Sequence, residues 1–396
     1  MSEWQKVKFL DVVHLNPRIS LEKGVEYPFV EMSNVVPCAR KPEKDVFKKY
    51  LGEGTKFEQG DTIVARIEPC LQNGKGFQCS YKQGFGSTEF LVFRPVNIND
   101  LDCDFLYYYM GQQSIREAMA KTMVGASGRQ RVNNKVFNDL QINLPPLSTQ
   151  HRIANILSRY DSLIENYQKQ IKLLEEAARR LYKEWFIDLR FPGHENTKIV
   201  DGLPEGWEKK SVGEIGTVIT GKTPSTSNKE NYGGSIPFIT IPDMHTGIYP
   251  VSSVFLSEKG AESQSKKYIP QGALIVSCIG TAGLVCITKE RCQTNQQINS
   301  LILDDKEMLH YMYFVFLSLK EHLNNIGSNG ATMTNVNKSK FEGIDIVVPS
   351  SCIIRDFSQR TTPYFENILS LQSQIRLLTE ARDRLLPKLM SGEITV

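Results

Sequence analysis

Two stretches of the chain space their apolar residues alternately by four and by three. In the first the apolar face runs Ile153, Leu157, Tyr160, Ile164, Tyr167, Ile171, Leu174, Ala178, Leu181 and Trp185. In the second it runs Phe357, Thr361, Tyr364, Ile368, Leu371, Ile375, Leu378, Arg382, Leu385 and Leu389. A seven-residue repeat held this long predicts two long helices with coiled-coil seams. Such a helix cannot bury its stripe alone. The two stripes are nearly the same text: twelve residues from Gln170 and twelve from Gln374 agree at eight positions, at an offset of 204. The simplest expectation is that they bury each other as an antiparallel pair. Thr361 and Arg382 fall on the second seam and weaken it.

The remainder of the chain repeats too. Tyr27-Pro28-Phe29-Val30 matches Ile236-Pro237-Phe238-Ile239, and Gln59-Gly60 with Ile63-Val64 matches Gln271-Gly272 with Ile275-Val276. Val132-Asn133 with Phe137 matches Val336-Asn337 with Phe341. The offset is 203 between Trp4 and Trp207, rises to 212 and returns to 204, so the middle of each unit carries the insertions. Short apolar runs at residues 63–65, 90–93, 238–241 and 273–276 read as strands. Residues 105–120 and 308–324 read as helical pieces. The organisation expected is α+β: modules 1–147 and 207–350, helices 148–191 and 351–396, and a polar linker 192–206. Ser148 and Ser350-Ser351 are candidate helix caps. Pro363 predicts an early kink, and Pro387 and Gly392 the end of the second helix.

Composition changes this picture little. The 396 residues are 40% hydrophobic and 23% charged, with a net charge of +3. No apolar run reaches the ~18 residues of a membrane span, and the first residues carry no signal-peptide pattern, so a cytoplasmic chain is expected. Eight cysteines without a C-x-x-C pair read as reduced, mostly buried thiols. The six histidines show no metal spacing. Near-balanced charge gives no general case for nucleic acid, so any DNA contact must come from local clusters.

Gly216-Thr-Val-Ile-Thr-Gly221-Lys222-Thr223 fits the phosphate-loop pattern, but Pro224-Ser-Thr-Ser follows where a helix is required. No methyltransferase tetrapeptide or glycine-rich cofactor loop is present, and no nucleophile–base set can be argued. The positive signal is polar loops. Arg129, Gln130, Arg131, Asn133, Asn134 and Lys135 lie together without an acid among them. The equivalent stretch of the second unit offers Asn329, Thr332, Thr334, Asn335, Asn337 and Lys338, and Thr281, Asn295, Gln296 and Gln297 lie in other loops. Arginine reads guanine edges, asparagine and glutamine read adenine edges, and lysine meets phosphate.

The chain resembles the DNA-specificity subunits of type I restriction–modification enzymes along essentially its full length. The carriers are the two modules, the repeated helices, Gly202-Leu-Pro-Glu-Gly-Trp-Glu208, Gly221-Lys222-Thr223-Pro224, Trp185-Phe-Ile-Asp-Leu-Arg-Phe191 and Arg384-Leu-Leu-Pro-Lys-Leu-Met-Ser-Gly-Glu393. The first module departs from the pattern, with His14-Leu-Asn-Pro17-Arg18 where Gly-Lys-Thr-Pro is expected. The resemblance implies two pseudo-repeated target-recognition domains separated by two long antiparallel coiled-coil helices. It implies a non-catalytic subunit, each domain reading one half of a bipartite double-stranded DNA target, with Lys222 and Thr223 added to the contact residues. The helices set the spacer and dock two methyltransferase subunits, and restriction (translocase–nuclease) subunits join them. S-adenosylmethionine, ATP and magnesium belong to those partners, with no cofactor in this chain. Two other readings stand beside it: a methyltransferase acting alone, which must bind S-adenosylmethionine, and a coiled-coil adaptor that binds proteins only.

Overall fold

The computed structural model describes residues 4–126, 130–328 and 335–396. The two seven-residue repeats become the helices Leu147–Tyr182 and Ser351–Ser391. The first starts one residue before Ser148, directly after Pro146, whose carbonyl accepts from Thr149 and Gln150. Ser148 is therefore inside the helix and is not its cap. The second helix follows Ser350 and passes Pro363 and Pro387 without a break in its assignment. Pro363 is exposed, so the carbonyl it leaves unpaired is on the solvent side. The helix stops at Gly392, which takes φ +78 beside the Trp4 ring.

The chain forms two compact units, Met1–Asn166 with Arg376–Val396, and Tyr167–Ile375. Each contains the start of one long helix and the end of the other. In the first unit, a four-stranded antiparallel sheet is ordered Val13–Leu15, Phe90–Pro95, Thr62–Ala65, Gly76–Gln78. A second sheet is ordered Phe47–Lys49, Glu26–Val30, Gln83–Gly86, Thr55–Glu58, and its middle pair is parallel, Phe29 opposite Phe85. A two-stranded clip, Gln5–Lys8 with Gln141–Leu144, closes the unit just before the long helix. Phe9, Phe93, Phe105 and Phe137 form the core with Ile153 and Leu157 of one helix and Leu389 of the other. The helical piece expected at 105–120 is two helices, Cys103–Met110 and Gln113–Ala120, the first capped by Asp102, which accepts from Phe105 N at 2.8 Å.

The second unit repeats this plan. Its four-stranded sheet is Gly216–Thr220, Ile298–Leu303, Leu274–Ser277, Val285–Ile287. Tyr232–Ile239 again pairs in parallel, here with Gln293–Thr294. Glu208–Ser211 and Asp345–Val348 form the equivalent clip. The core joins Ala178, Tyr182, Trp185 and Phe186 to Phe357, Phe365 and Ile368, with the rings of Phe186 and Phe357 4.9 Å apart. Residues 192–206 are more than a linker. Ile199–Val200 pairs with Leu203–Pro204 across Asp201 and Gly202 at φ +49 and +79, the left-handed pair that an Asp-Gly hairpin turn demands.

The seam is less regular than the heptads. Ile153, Leu157, Ile164, Ile368 and Leu371 are buried. Ile171, Leu174, Leu181, Tyr364 and Leu385 are half-buried against the cores, and Tyr160, Tyr167, Ile375 and Leu378 are only half-buried. The deepest positions beside Tyr160, Leu181 and Tyr364 are Asp161, Tyr182 and Phe365. An aromatic ring or a paired charge there outcompetes its neighbour for the interior. The two interruptions of the second seam have partners. Thr361 is fully buried and donates to Phe357 O at 2.8 Å. Arg382 meets Asp161 at 2.6 Å, and the other Asp161 oxygen accepts from Tyr108 Oη at 2.5 Å.

All eight cysteines are unpaired. Cys79, Cys278, Cys286 and Cys292 are buried, which pushes their thiols up to about 12, while Cys38 and Cys352 are exposed. Among the described residues no helix is long and apolar enough to cross a membrane.

Candidate nucleic-acid interface

The polar loop of the first unit is held at the end of the Thr62–Ala65 strand. Val132 N donates to Arg66 O at 2.9 Å, and Arg66 N donates to Glu89 O at 2.9 Å. Arg131 bridges Ile67 and also pairs with Val124 through two bonds of 3.0 Å. Val132 and Phe137 are buried and anchor the loop, so the residues between them stay at the surface. Gln130 O accepts from Glu68 N. Asn133 Oδ1 accepts from Lys135 N at 3.1 Å, which fixes the turn. Asn134 and Lys135 are exposed. Arg129 lies outside the described residues.

The loop does have an acid in space, although none in sequence. Arg131 donates through Nε and Nη2 to the two oxygens of Glu89, at 2.8 and 2.5 Å. This bidentate contact holds the Glu89 carboxyl below its ordinary range. Arg66 adds a second guanidinium; its Nε is buried without a hydrogen-bond partner among the described residues. Neither Glu89 nor Arg66 was visible as a candidate in the sequence. Arg66 could have been found from the repeat, since the 212 offset of the preceding strand sets it opposite Cys278.

The second unit brings its candidates together through a corresponding set of bonds. Val336 N donates to Cys278 O at 2.9 Å, Cys278 N to Gln297 O at 2.8 Å, and Asn335 bridges Ile279. Lys222 N donates to Thr294 O, and Thr223 Oγ1 bonds Gln296 Oε1. Asn295 Nδ2 reaches Gln297 Oε1 at 3.1 Å. Thr281 is exposed on the neighbouring turn, its carbonyl held by Ser277 Oγ at 2.6 Å. Lys222, Gln296 and Asn335 are exposed. Two candidates have local structural duties: Asn337 caps a short helix by accepting from Lys340 N, and Lys338 pairs with Glu342 at 3.4 Å. Asn329, Thr332 and Thr334 lie outside the described residues.

The phosphate-loop look-alike is a strand, Gly216–Thr220, running into this loop cluster with no helix after it. A Cβ on Gly221 would overlap Asn295 O and Thr294, so glycine lets the loop close onto its neighbour. Among the described residues no group of three or more His, Cys, Asp or Glu side chains could hold a metal ion. The arrangement can bind and discriminate polar edges, with hydrogen-bond donors and acceptors on a fixed backbone.

Residues 1–176 and 204–357 match the family model described as type I restriction modification DNA specificity domain. The HindI specificity subunit of Haemophilus influenzae is 33% identical, over the whole of both chains. The MjaIX specificity subunit of Methanocaldococcus jannaschii is 30% identical over 74% of this chain and 69% of that one. Among solved structures, the type I restriction–modification S subunit from M. genitalium superimposes with a TM-score of 0.56, covering 98% of this chain and 96% of that one at 18% identity.

Proposed function

Since the chain belongs to the type I restriction–modification DNA specificity family, we propose that its two modules each read one half of a bipartite double-stranded DNA target. The observation that carries this reading is the duplicated loop frame: the same backbone bonds present Arg66, Glu89 and Arg131 in one unit and Cys278, Gln297 and Asn335 in the other. A shared frame with different side chains is what two readers of different half-sequences need. The chain acts as the non-catalytic specificity component of a cytoplasmic complex. Its partners are two methyltransferase subunits, which carry S-adenosylmethionine, and restriction subunits, which use ATP and magnesium.

The repeated helix segment supports a pair of like partners. Leu173 and Leu377, at the same place in the two twelve-residue copies, are 64% and 56% exposed. A single exposed leucine is ordinary on a protein surface, and it is the repetition of the whole twelve-residue segment around it that favours two like partners. The test of the modular reading is exchange of residues 207–350 for those of a relative, followed by sequencing of methylated adenines in DNA exposed to the assembled complex. One half of the motif changes and the other is retained. A change in both halves, or in neither, overturns the reading.

The helices are proposed to set the spacer between the halves. Four residues inserted after Leu174 and four after Leu378 lengthen each helix by ~6 Å. The methylated motif then keeps both half-sequences and gains one or two spacer bases, or methylation falls. An unchanged spacer at full activity would leave the helices as a docking surface alone.

A further inference from the structure

The two loop frames can be superposed bond for bond, which identifies equivalent positions that sequence alignment alone leaves ambiguous. Val132 N to Arg66 O corresponds to Val336 N to Cys278 O, and Arg66 N to Glu89 O corresponds to Cys278 N to Gln297 O. The bridge from Ile67 to Arg131 corresponds to that from Ile279 to Asn335. Arg66, Glu89 and Arg131 therefore stand where Cys278, Gln297 and Asn335 stand. The backbone is common and the chemistry is not: one set carries two guanidiniums and a carboxylate, the other a buried thiol and two neutral amides.

We infer that these positions choose the base pair each module reads, a G·C pair by Arg131 and Glu89 with the Arg66 charge beside them, and an A·T pair by Asn335 and Gln297. This rests on the reading of the chain as a DNA-specificity subunit. Guanine offers two acceptors in the major groove, O6 and N7, which match guanidinium donors, and its cytosine offers the N4 amine, which matches a carboxylate. Adenine offers one acceptor and one donor, N7 and N6, which match an amide. Arg131 spends Nε and Nη2 on Glu89, so its Nη1 remains for a base. The Arg66 Nε is buried without a partner among the described residues, so Arg66 acts through its charge on Glu89 and not through a base contact by that atom. In the other unit Asn335 is exposed and offers the acceptor and donor that adenine N6 and N7 match, while the Gln297 carbonyl oxygen accepts from Asn295, so Gln297 adds only N–H donors. Cys278 is 2% exposed and makes no base contact, so on that side the amides alone discriminate.

The experiment uses the full chain assembled with its methyltransferase subunits, reading methylated adenines genome-wide. The triple variant R66C/E89Q/R131N is expected to replace one G·C position of the first module's half-target by A·T, leaving the other half and the spacer as they were. The reciprocal variant C278R/Q297E/N335R does the converse in the second half. At the switched position the preference for the original pair falls about 10-fold, toward the low end of what a base contact carries, because Arg131 reaches the base through Nη1 alone. E89Q alone covers the event that a triple variant does not fold: it keeps the shape and relaxes one position. A wild-type motif whose first half holds no G·C pair overturns the inference. So does a motif unchanged by E89Q and by the triple variant in folded complexes. A wild-type complex that methylates no bipartite motif overturns the underlying reading instead, and the inference with it.

Discussion

Arg382→Ala lowers stability by about 3–5 kcal/mol, the cost of leaving a buried carboxylate without its counter-charge. Asp161 is 5% and Arg382 8% exposed, and they meet at 2.6 Å. Arg382 also donates to Cys38 O and pairs with Asp383, while Tyr108 takes the second Asp161 oxygen. Every polar atom of the pair that the interior holds is thus engaged, and removing one partner strands the rest. Replacing both by the residues found 204 positions away, Asp161→Phe with Arg382→Ala, costs far less, because no charge is then buried. Urea denaturation, followed through Trp4 in a chain whose Trp185 and Trp207 are replaced by Phe, reads the unit concerned. A loss below 1 kcal/mol for Arg382→Ala would mean that water reaches Asp161 and the pair is not buried in solution.

The second unit weakens in mild acid. His310 is 8% exposed, stacks on Phe365 with ring centroids 4.0 Å apart, and contacts Thr361 Oγ1 through Nδ1 at 3.0 Å. Thr361 donates its hydroxyl proton to Phe357 O, so it accepts from Nδ1–H, and burial keeps the ring uncharged at neutral pH. Burial lowers the His310 pKa to about 4. The unfolded chain binds the proton near pH 6.5. Stability is therefore fully present above about pH 6.5 and is lost as pH falls toward 4, by up to ~1.4 kcal/mol per pH unit and ~3 kcal/mol in all. His310→Phe removes that slope. Denaturation midpoints at pH 7 and pH 4.5 for the two chains measure it; parallel losses would assign the acid sensitivity to other groups.

The long helices were legible because a seven-residue period survives two polar interruptions. Their finer packing was not. A lone aspartate in a heptad reads as a surface residue, and the arginine that explains Asp161 lies 221 residues away. The strands of the first module's second sheet were hidden for a similar reason: Phe47–Lys49 and Gln83–Gly86 are short and gain their order from partners distant in sequence. The hairpin at Asp201-Gly202 carries its turn signal in full, but strands of two residues each give too little pattern to distinguish it from a linker. At the candidate interface, composition exposed the loop 130–135 but not Glu89. Its contact with Arg131 spans 42 residues and depends on a strand order that no local pattern encodes.

The ion pair of the first unit has no copy in the second, although the sequence around it does. Phe365 takes the place of Asp161, and Ala178 the place of Arg382, in an interior of stacked rings. A helix like Leu147–Tyr182 paired with another of its own kind would therefore set Asp161 against Ala178, which carries no charge to pair with it. A helix like Ser351–Ser391 paired with itself would set Arg382 against Phe365. Each mismatch costs several kcal/mol, and it occurs twice in a symmetric pair. Each half of this duplicated chain therefore pairs more favourably with its complement than with its own likeness. A buried ion pair on a largely apolar seam also opposes sliding by a turn. Two positions at which the copies differ, Asp161 against Phe365 and Ala178 against Arg382, make the pairing of the repeated helices asymmetric.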